Sequence, residues 1–385
     1  MTKFLSALKN VKWKHYINYI GVTLAMLVFT LMTLIGSPKS SLLYLLENIT
    51  LNVILAVSLS LVVGFLGELS LGHAGFMCIG AYIGGKMATV LATTALGDGI
   101  LNLLISTVVG AIVAGIFGFV IGLPALRLKG DYLAIVTLAF GEIVKTVFQN
   151  SSPESFGGPM GIRTPRFDKN YLFIIGFALV LITLFVIQNT IRSKHGRAIT
   201  AIRDNEIAAR ATGINVTKYK LLGFIISAAF AGVAGVFYSF ANFNVRPEIF
   251  DYNYSIEMLV MVVLGGMGNI TGAIISATLI TILNTELQTL LSGDLAVLKD
   301  IIYSLILVLM VIYNNAPALK GFREKYNLRA IIRRMMVKRR GAGYAGDDDA
   351  RWDVVPTKID MDEVLSTDLI VTESTMKPDK EERPK

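Results

Sequence analysis

The sequence predicts an all-α fold: a polytopic integral membrane protein with about eight to ten crossing helices, some broken or re-entrant. Three observations predict it. Hydrophobic residues make up 54% of the chain and charged residues only 17%, at a mean hydropathy of +0.61. An ordinary soluble domain is about 25% charged, and one soluble core stops growing at roughly 250–300 residues. Apolar runs near the ~20 residues that a crossing helix needs recur along most of the chain. Lys and Arg are shared very unevenly between alternate loops.

Taken in order, the runs lie near 17–36, 48–66, 74–94, 100–124, 132–149, 171–191, 220–241, 254–267, 269–291 and 300–315. The first follows a basic N-terminal segment, 1–16, with no small-residue cleavage site behind it, so it reads as a retained helix. The run at 254–267 is short, and Gly265, Gly266 and Gly268 separate it from the next. The two read either as full spans or as a re-entrant pair. A backbone break at membrane depth is tolerated only where protein buries it or a cavity accepts it.

With the N-terminus in the cytoplasm, 22 Lys and Arg fall inside and six outside. The positive-inside rule rejects the opposite orientation, so both termini are expected in the cytoplasm of a cell-membrane protein. Residues 17–315 form the transmembrane domain, with a cytoplasmic loop at 192–219. A basic cytoplasmic segment follows at 316–340. The stretch 341–385 holds twelve acids and six bases with little apolar content, which predicts a disordered acidic tail.

Several function classes are disfavoured. Cys78 is the single cysteine, so no disulfide framework forms within the chain. His15, His73 and His195 are far apart, and no cluster has metal-ligand spacing. The phosphate-binding pattern G-x-x-x-x-G-K-[ST] is missing. No covalent chemistry, cofactor, metal or nucleic-acid partner is expected for this chain. Energy for any transport must come from a partner chain or an ion gradient.

The most informative segment is RSKHGRAITAIRDNEIAARATGINVTKYKLLG at 192–223. Asp204 can cap the start of a helix, and Gly213 suits the left-handed residue just past its end. Glu206 and Arg210 stand four apart in the favourable order. Ala209 and its neighbouring alanines keep the helix slim. A short capped helix of this kind suits docking in another protein's groove; a solvated basic loop that sets orientation reads the same residues equally well.

A second group surrounds the second and third runs. Ser70, Gly72, His73 and Gly75 lie in a glycine-rich stretch where a broken helix can offer unpaired backbone groups to a zwitterionic ligand. Close helix packing is the plainer reading of such glycines, and a satisfied packing residue is the plainer reading of His73. Gly265, Gly266 and Gly268 form a turn of similar composition. Glu142 and Lys145, three apart inside a run, are expected to pair, because an ionisable group at bilayer depth costs at least ~2.5 kcal/mol. Lys86 is expected to reach for the interface, and Glu68 and Glu257 to lie near boundaries. The outer loop FGGPMGIRTP at 156–165 reads as a turn-rich surface or a receiving surface for another protein.

Four stretches together carry a resemblance. GRAITAIRDNEIAARATGINVTKYKLLGFIISAAFAGVAG, LSLGHAGFMCIGAYIG, GDYLAIVTLAFGEIV and VVLGGMGNITGAIISA resemble the M-type permease subunits of branched-chain amino acid ABC importers. They stand in family order over roughly 45–315, and the tail after 340 lies outside the resemblance. It implies a permease for branched-chain or other hydrophobic amino acids. It further implies a second related permease, two cytoplasmic ATPase subunits that bind ATP and Mg, and an extracellular binding protein that delivers the ligand. Arg203, Asp204, Asn205, Glu206, Ala209, Arg210 and Gly213 would then couple to the ATPase. Ser70, Gly72, His73, Gly75, Glu142, Gly265, Gly266 and Gly268 are the path candidates. A permease for urea or short amides, an ion-coupled secondary transporter and a non-transporting scaffold remain as alternatives.

Overall fold

A computed structural model describes residues 17–290 apart from 37–38, 94–96, 98, 129, 166 and 168, and beyond them Ile302, Ser304, Leu305 and Val308. The basic segments 1–16 and 316–340, most of the run at 300–315 and the acidic tail at 341–385 therefore lie outside the described residues.

The described residues are almost wholly helical. The first crossing is α1 (Ile17–Ile35), and the second is α2 (Ser40–Ser60), which continues as a π-helical segment, Leu61–Leu66. A non-helical stretch, 67–72, leads to α3 (His73–Ile79), a second π-helical segment (Gly80–Gly84) and α4 (Gly85–Ala92). Next come α5 (Ile100–Ala125), α6 (Asp131–Gln149), the single turn α7 (Pro153–Phe156) and α8 (Lys169–Arg192). Two short helices, α9 (Lys194–Asp204) and α10 (Glu206–Ala211), precede α11 (Val216–Asn242), α12 (Tyr252–Gly265) and α13 (Ile270–Leu290). The only strands among the described residues, β1 (Ile162–Arg163) and β2 (Asn244–Val245), pair antiparallel with Ile162 opposite Val245.

Seven of the described helical stretches are long and apolar enough to cross a membrane. They match the predicted runs closely, except that the second begins near residue 40 rather than 48. The charge of Glu47 hides this start in the sequence, yet Glu47 is buried inside the helix. Large apolar side chains stay exposed along α1 and α5, among them Leu27, Leu31, Val108 and Ile112. A surface like this calls for lipid, and the protein is a multi-pass membrane protein.

α2, α11 and the 73–84 stretch form the centre. Gly80 lies against the backbone of Gly232, and Gly75 against that of Gly141; such contacts bring helices close where lipid gives no hydrophobic drive for packing. Buried hydroxyls bond back within their own helix, as Thr107 does to the Leu103 carbonyl and Thr183 to that of Leu179, both at 2.7 Å. That satisfies these hydroxyls in an apolar surround.

The 254–291 region resolves into a hairpin of unequal helices. Ser276 bonds the Met261 carbonyl, and Asn284 donates to Glu257 at 3.2 Å, so α12 and α13 run antiparallel. With fourteen residues, α12 is only about 21 Å long at 1.5 Å per residue. It starts part-way along its partner, and a single 3-10 turn, Pro247–Ile249, leads into it from β2. The region is thus a helix of 21 residues beside one of 14, two-thirds as long.

Candidate functional site

Two helical stretches, the one from His73 to Ala92 and the fourteen-residue α12, begin side by side in the interior. The Ala74 N–H at the start of α3 donates to the Ser255 hydroxyl in the first turn of α12 at 3.1 Å. Both starts lie against α6. The Leu71 N–H donates to the Thr137 hydroxyl at 3.0 Å, and the Tyr252 N–H donates to Glu142 Oε1 at 3.0 Å. Asp251 caps α12 by accepting from the Tyr254 N–H at 3.0 Å. His73 shares a buried 2.8 Å hydrogen bond with Ser58, whose carbonyl accepts from Ser227 at 2.7 Å. Ser227 lies about 16 Å along α11 from Val216, so this level is well inside the helical layer.

Gly72 and Gly75 therefore meet α6 at Thr137 and Gly141, Glu142 of α6 holds the start of α12, and Ser70 and His73 are buried in the same stretch. His73 takes the packing role expected for it, buried with a partner. Glu142 pairs with Lys145 at 2.5 Å as the spacing predicts, and it also holds the start of α12. Gly265, Gly266 and Gly268 stand apart, at the far end of α12. There Gly268 abuts Gly64 at the end of the second crossing.

The second cluster is the loop between α8 and α11. Ser193 opens α9 by accepting from the N–H groups of His195 and Gly196 at 3.1 and 3.4 Å. The expected cap at Asp204 is corrected by one residue. Asp204 is still helical as the last residue of α9, so its side chain cannot reach forward, and it pairs with Arg203 at 2.9 Å. Asn205 has the extended backbone a cap requires, and its side chain accepts from the Ala208 N–H at 3.0 Å.

Gly213 ends α10 as predicted, at φ +85. Its N–H bonds the Arg210 carbonyl and that of Ile214 bonds the Ala209 carbonyl, both at 3.1 Å, the paired bonds of a Schellman ending. Glu206 and Arg210 are joined at 2.9 Å. Ala209 is a second correction. It is not on an outward slim face: it is 4% exposed, packed with Ile202 and Val216 beneath α10. Ile207 is the apolar residue that α10 turns outward, at 79% exposure.

Sequence reasoning missed the links beneath this loop. Lys220, 5% exposed, reaches both Glu68, just past the second crossing, and Glu206 Oε2, the latter at 3.2 Å. Arg203 Nη1 donates to the Gly64 carbonyl at 3.0 Å, and its stem covers Gly67. Glu68 and Lys220 are separated by 152 residues, so no local pattern could join them. The signal available was only that each is an ionisable group at the edge of an apolar run.

Comparison with known proteins places the architecture. The family described as branched-chain amino acid transport system / permease component matches residues 41–312. The chain belongs to this family. The high-affinity branched-chain amino acid transport system permease proteins LivM of Salmonella typhimurium and Escherichia coli K12 are each 37% identical over 287 residues. Those matches span 65% of this chain and 65% of the relatives' own length. The E. coli permease protein LivH is 25% identical over 67% of this chain and 88% of its own. The ribose import permease protein RbsC of E. coli is equally 25% identical, over 70% and 84%. No solved structure matches the chain. Both clusters described above, at α3–α6–α12 and at α9–α10, fall within the stretch that defines family membership.

Proposed function

We propose that the chain is a permease subunit of an ATP-driven importer of branched-chain or other hydrophobic amino acids. The observation that carries this reading is a family member with two interrupted crossings that start together in its interior and a capped helix presenting Ile207 from its basic loop. The names of the relatives support the substrate class, since identity to the two LivM proteins is 37% against 25% for the ribose protein. In this reading a second related permease completes the pathway. Two ATPase subunits bind ATP and Mg, and an extracellular binding protein delivers the ligand. Both termini and the 192–219 loop face the cytoplasm, and the 156–165 loop, at the other end of the helices, faces outward.

The starts of α3 and α12 would line part of the path. Helix starts carry partial positive charge, and interrupted helices at mid-depth are where transporters commonly hold small charged ligands. Docking of the ATPase on α10 would bias the outward-open and inward-open states by binding them unequally, since only differential affinity shifts an equilibrium.

The test is uptake of labelled leucine by the reconstituted complex, with its binding protein outside. ATP enclosed on the cytoplasmic side should drive accumulation, and a proton gradient without ATP should not. Accumulation driven by the gradient alone would make the chain a secondary transporter.

A further inference from the structure

We propose that Lys220 and Arg203 are positioning residues that transmit movement of the α9–α10 loop to the interrupted crossing at 64–73. The inference rests on the reading that α10 docks on an ATPase, and it assigns the connection from that surface to the interior.

Three elements meet at the Lys220 ammonium. Glu206 is the first residue of α10, Glu68 directly follows the left-handed Gly67 that closes the second crossing, and Lys220 itself belongs to α11. Lys220 and Glu68 are nearly shut away from solvent, with side chains 6% and 12% exposed. A buried lysine between two carboxylates ties them firmly, because removing it strands like charges in a poorly solvated place. Arg210 on the other oxygen of Glu206 balances the cluster to two positive and two negative charges.

Arg203 makes the second connection to the same stretch. Gly64 lies in the last turn of the helical run that ends at Leu66, where carbonyls lose their intrahelical partners. The Arg203 guanidinium takes that carbonyl at 3.0 Å, and a cation is favoured at a helix C-terminus. Its position 3.4 Å from where a Cβ of Gly268 would stand also sets it against the α12–α13 turn. The loop thus grips the chain at Gly64 and again at Glu68. Five residues further on, His73 opens α3 beside Ser58 and Ser255. A displacement of α10 either carries this stretch along or breaks the two grips, and both outcomes reach the start of α3.

The prediction is uncoupling. In the reconstituted complex with its ATPase, Lys220→Met should leave ATP hydrolysis within about threefold of the unaltered complex but lower leucine uptake about tenfold, inside the range typical of coupling between sites. Lys220→Arg should restore most of the uptake, because it returns the charge. Arg203→Met should act in the same direction. Glu68→Gln supplies a milder variant that keeps the lysine, with a smaller rise in ATP consumed per leucine moved. An unchanged ratio of uptake to hydrolysis in both Lys220→Met and Glu68→Gln would overturn the proposal. So would parallel loss of uptake, hydrolysis and ATPase co-purification that Lys220→Arg fails to rescue, for then the lysine only holds the fold. Ile207→Glu separates the underlying reading: if that variant still binds its ATPase and transports normally, α10 is not the docking surface.

Discussion

The two glycine-rich interruptions of the membrane domain are alike in composition and opposite in construction. From Gly67 to Gly72 the chain is non-helical and carries the start of α3 into the interior, whereas from Gly266 to Asn269 it turns tightly and hands α12 to α13. Glycine meets a different need in each. Gly72 has φ −95, open to any residue, but a Cβ there would strike the Thr137 carbonyl, and one on Gly75 would stand 2.7 Å from the Gly141 Cα. Gly266 and Gly268 have φ +89 and +79, while an added Cβ would find its nearest neighbours at 4.0 and 3.4 Å. Contact fixes glycine at Gly72 and Gly75, and dihedral angle fixes it at Gly266 and Gly268. Contact built from two backbones tolerates no added atom, and a left-handed turn tolerates a small one with strain.

The largest effect expected from this difference is at Gly75. Gly75→Val places branched carbon against the α6 backbone, which has no flexible end to move aside. Overpacking of this kind costs about 1–3 kcal/mol and occasionally more, and here it separates the two helix starts from α6. Little stable protein should survive extraction in mild detergent. A thermal midpoint equal to that of the unaltered protein would show the α3–α6 contact to be loose, and the contrast would fail.

Gly268→Ala should do less. The left-handed conformation costs a non-glycine residue roughly 1–2 kcal/mol, so the protein should assemble with a lowered thermal midpoint. Gly268→Asn should lose less than the alanine variant despite its larger side chain, because asparagine visits this conformation more readily. If asparagine proves the worse of the two, space rather than φ governs the turn.

The same distinction explains what was legible in the sequence. The runs were legible because hydropathy sums over many neighbours, and the 192–216 loop because caps and endings act over three or four residues. Asp204 and Asn205 are both able to cap, and the choice between them depended on where α9 stops. Buried Ile199 and Ile202 hold α9 through Asp204. Ala209 looked outward by its small size and is inward because Ile202 and Val216 close over it. That α12 is short was legible, but its start against α3 and α6 was hidden because its partners, Glu142 and Ala74, lie 110 and 181 residues away. The grips of Lys220 and Arg203 were hidden for the same reason.

Gly213 gives the smallest effect and the cleanest measure of dihedral strain alone. Its φ of +85 matches that of Gly266, yet nothing stands within 4 Å of a Cβ added there. Contact therefore contributes nothing, and Gly213→Ala should cost only the left-handed penalty, at the low end of roughly 1–2 kcal/mol. That strain falls on the paired hydrogen bonds that end α10, from Gly213 to Arg210 and from Ile214 to Ala209. A cost near 1 kcal/mol raises the open population of a local structure about fivefold. Hydrogen exchange at the Ile214 amide should quicken by that factor, while the amides of α11 keep their rates because the membrane helix does not share the strain. Ala209 should remain packed on Ile202, so assembly and ATPase binding should hold. Exchange unchanged at Ile214 would mean that the burial of Ala209, Ile202 and Val216 ends α10 without help from the turn. The loop would then be held by contact, like the interruption at Gly72, rather than by dihedral angle.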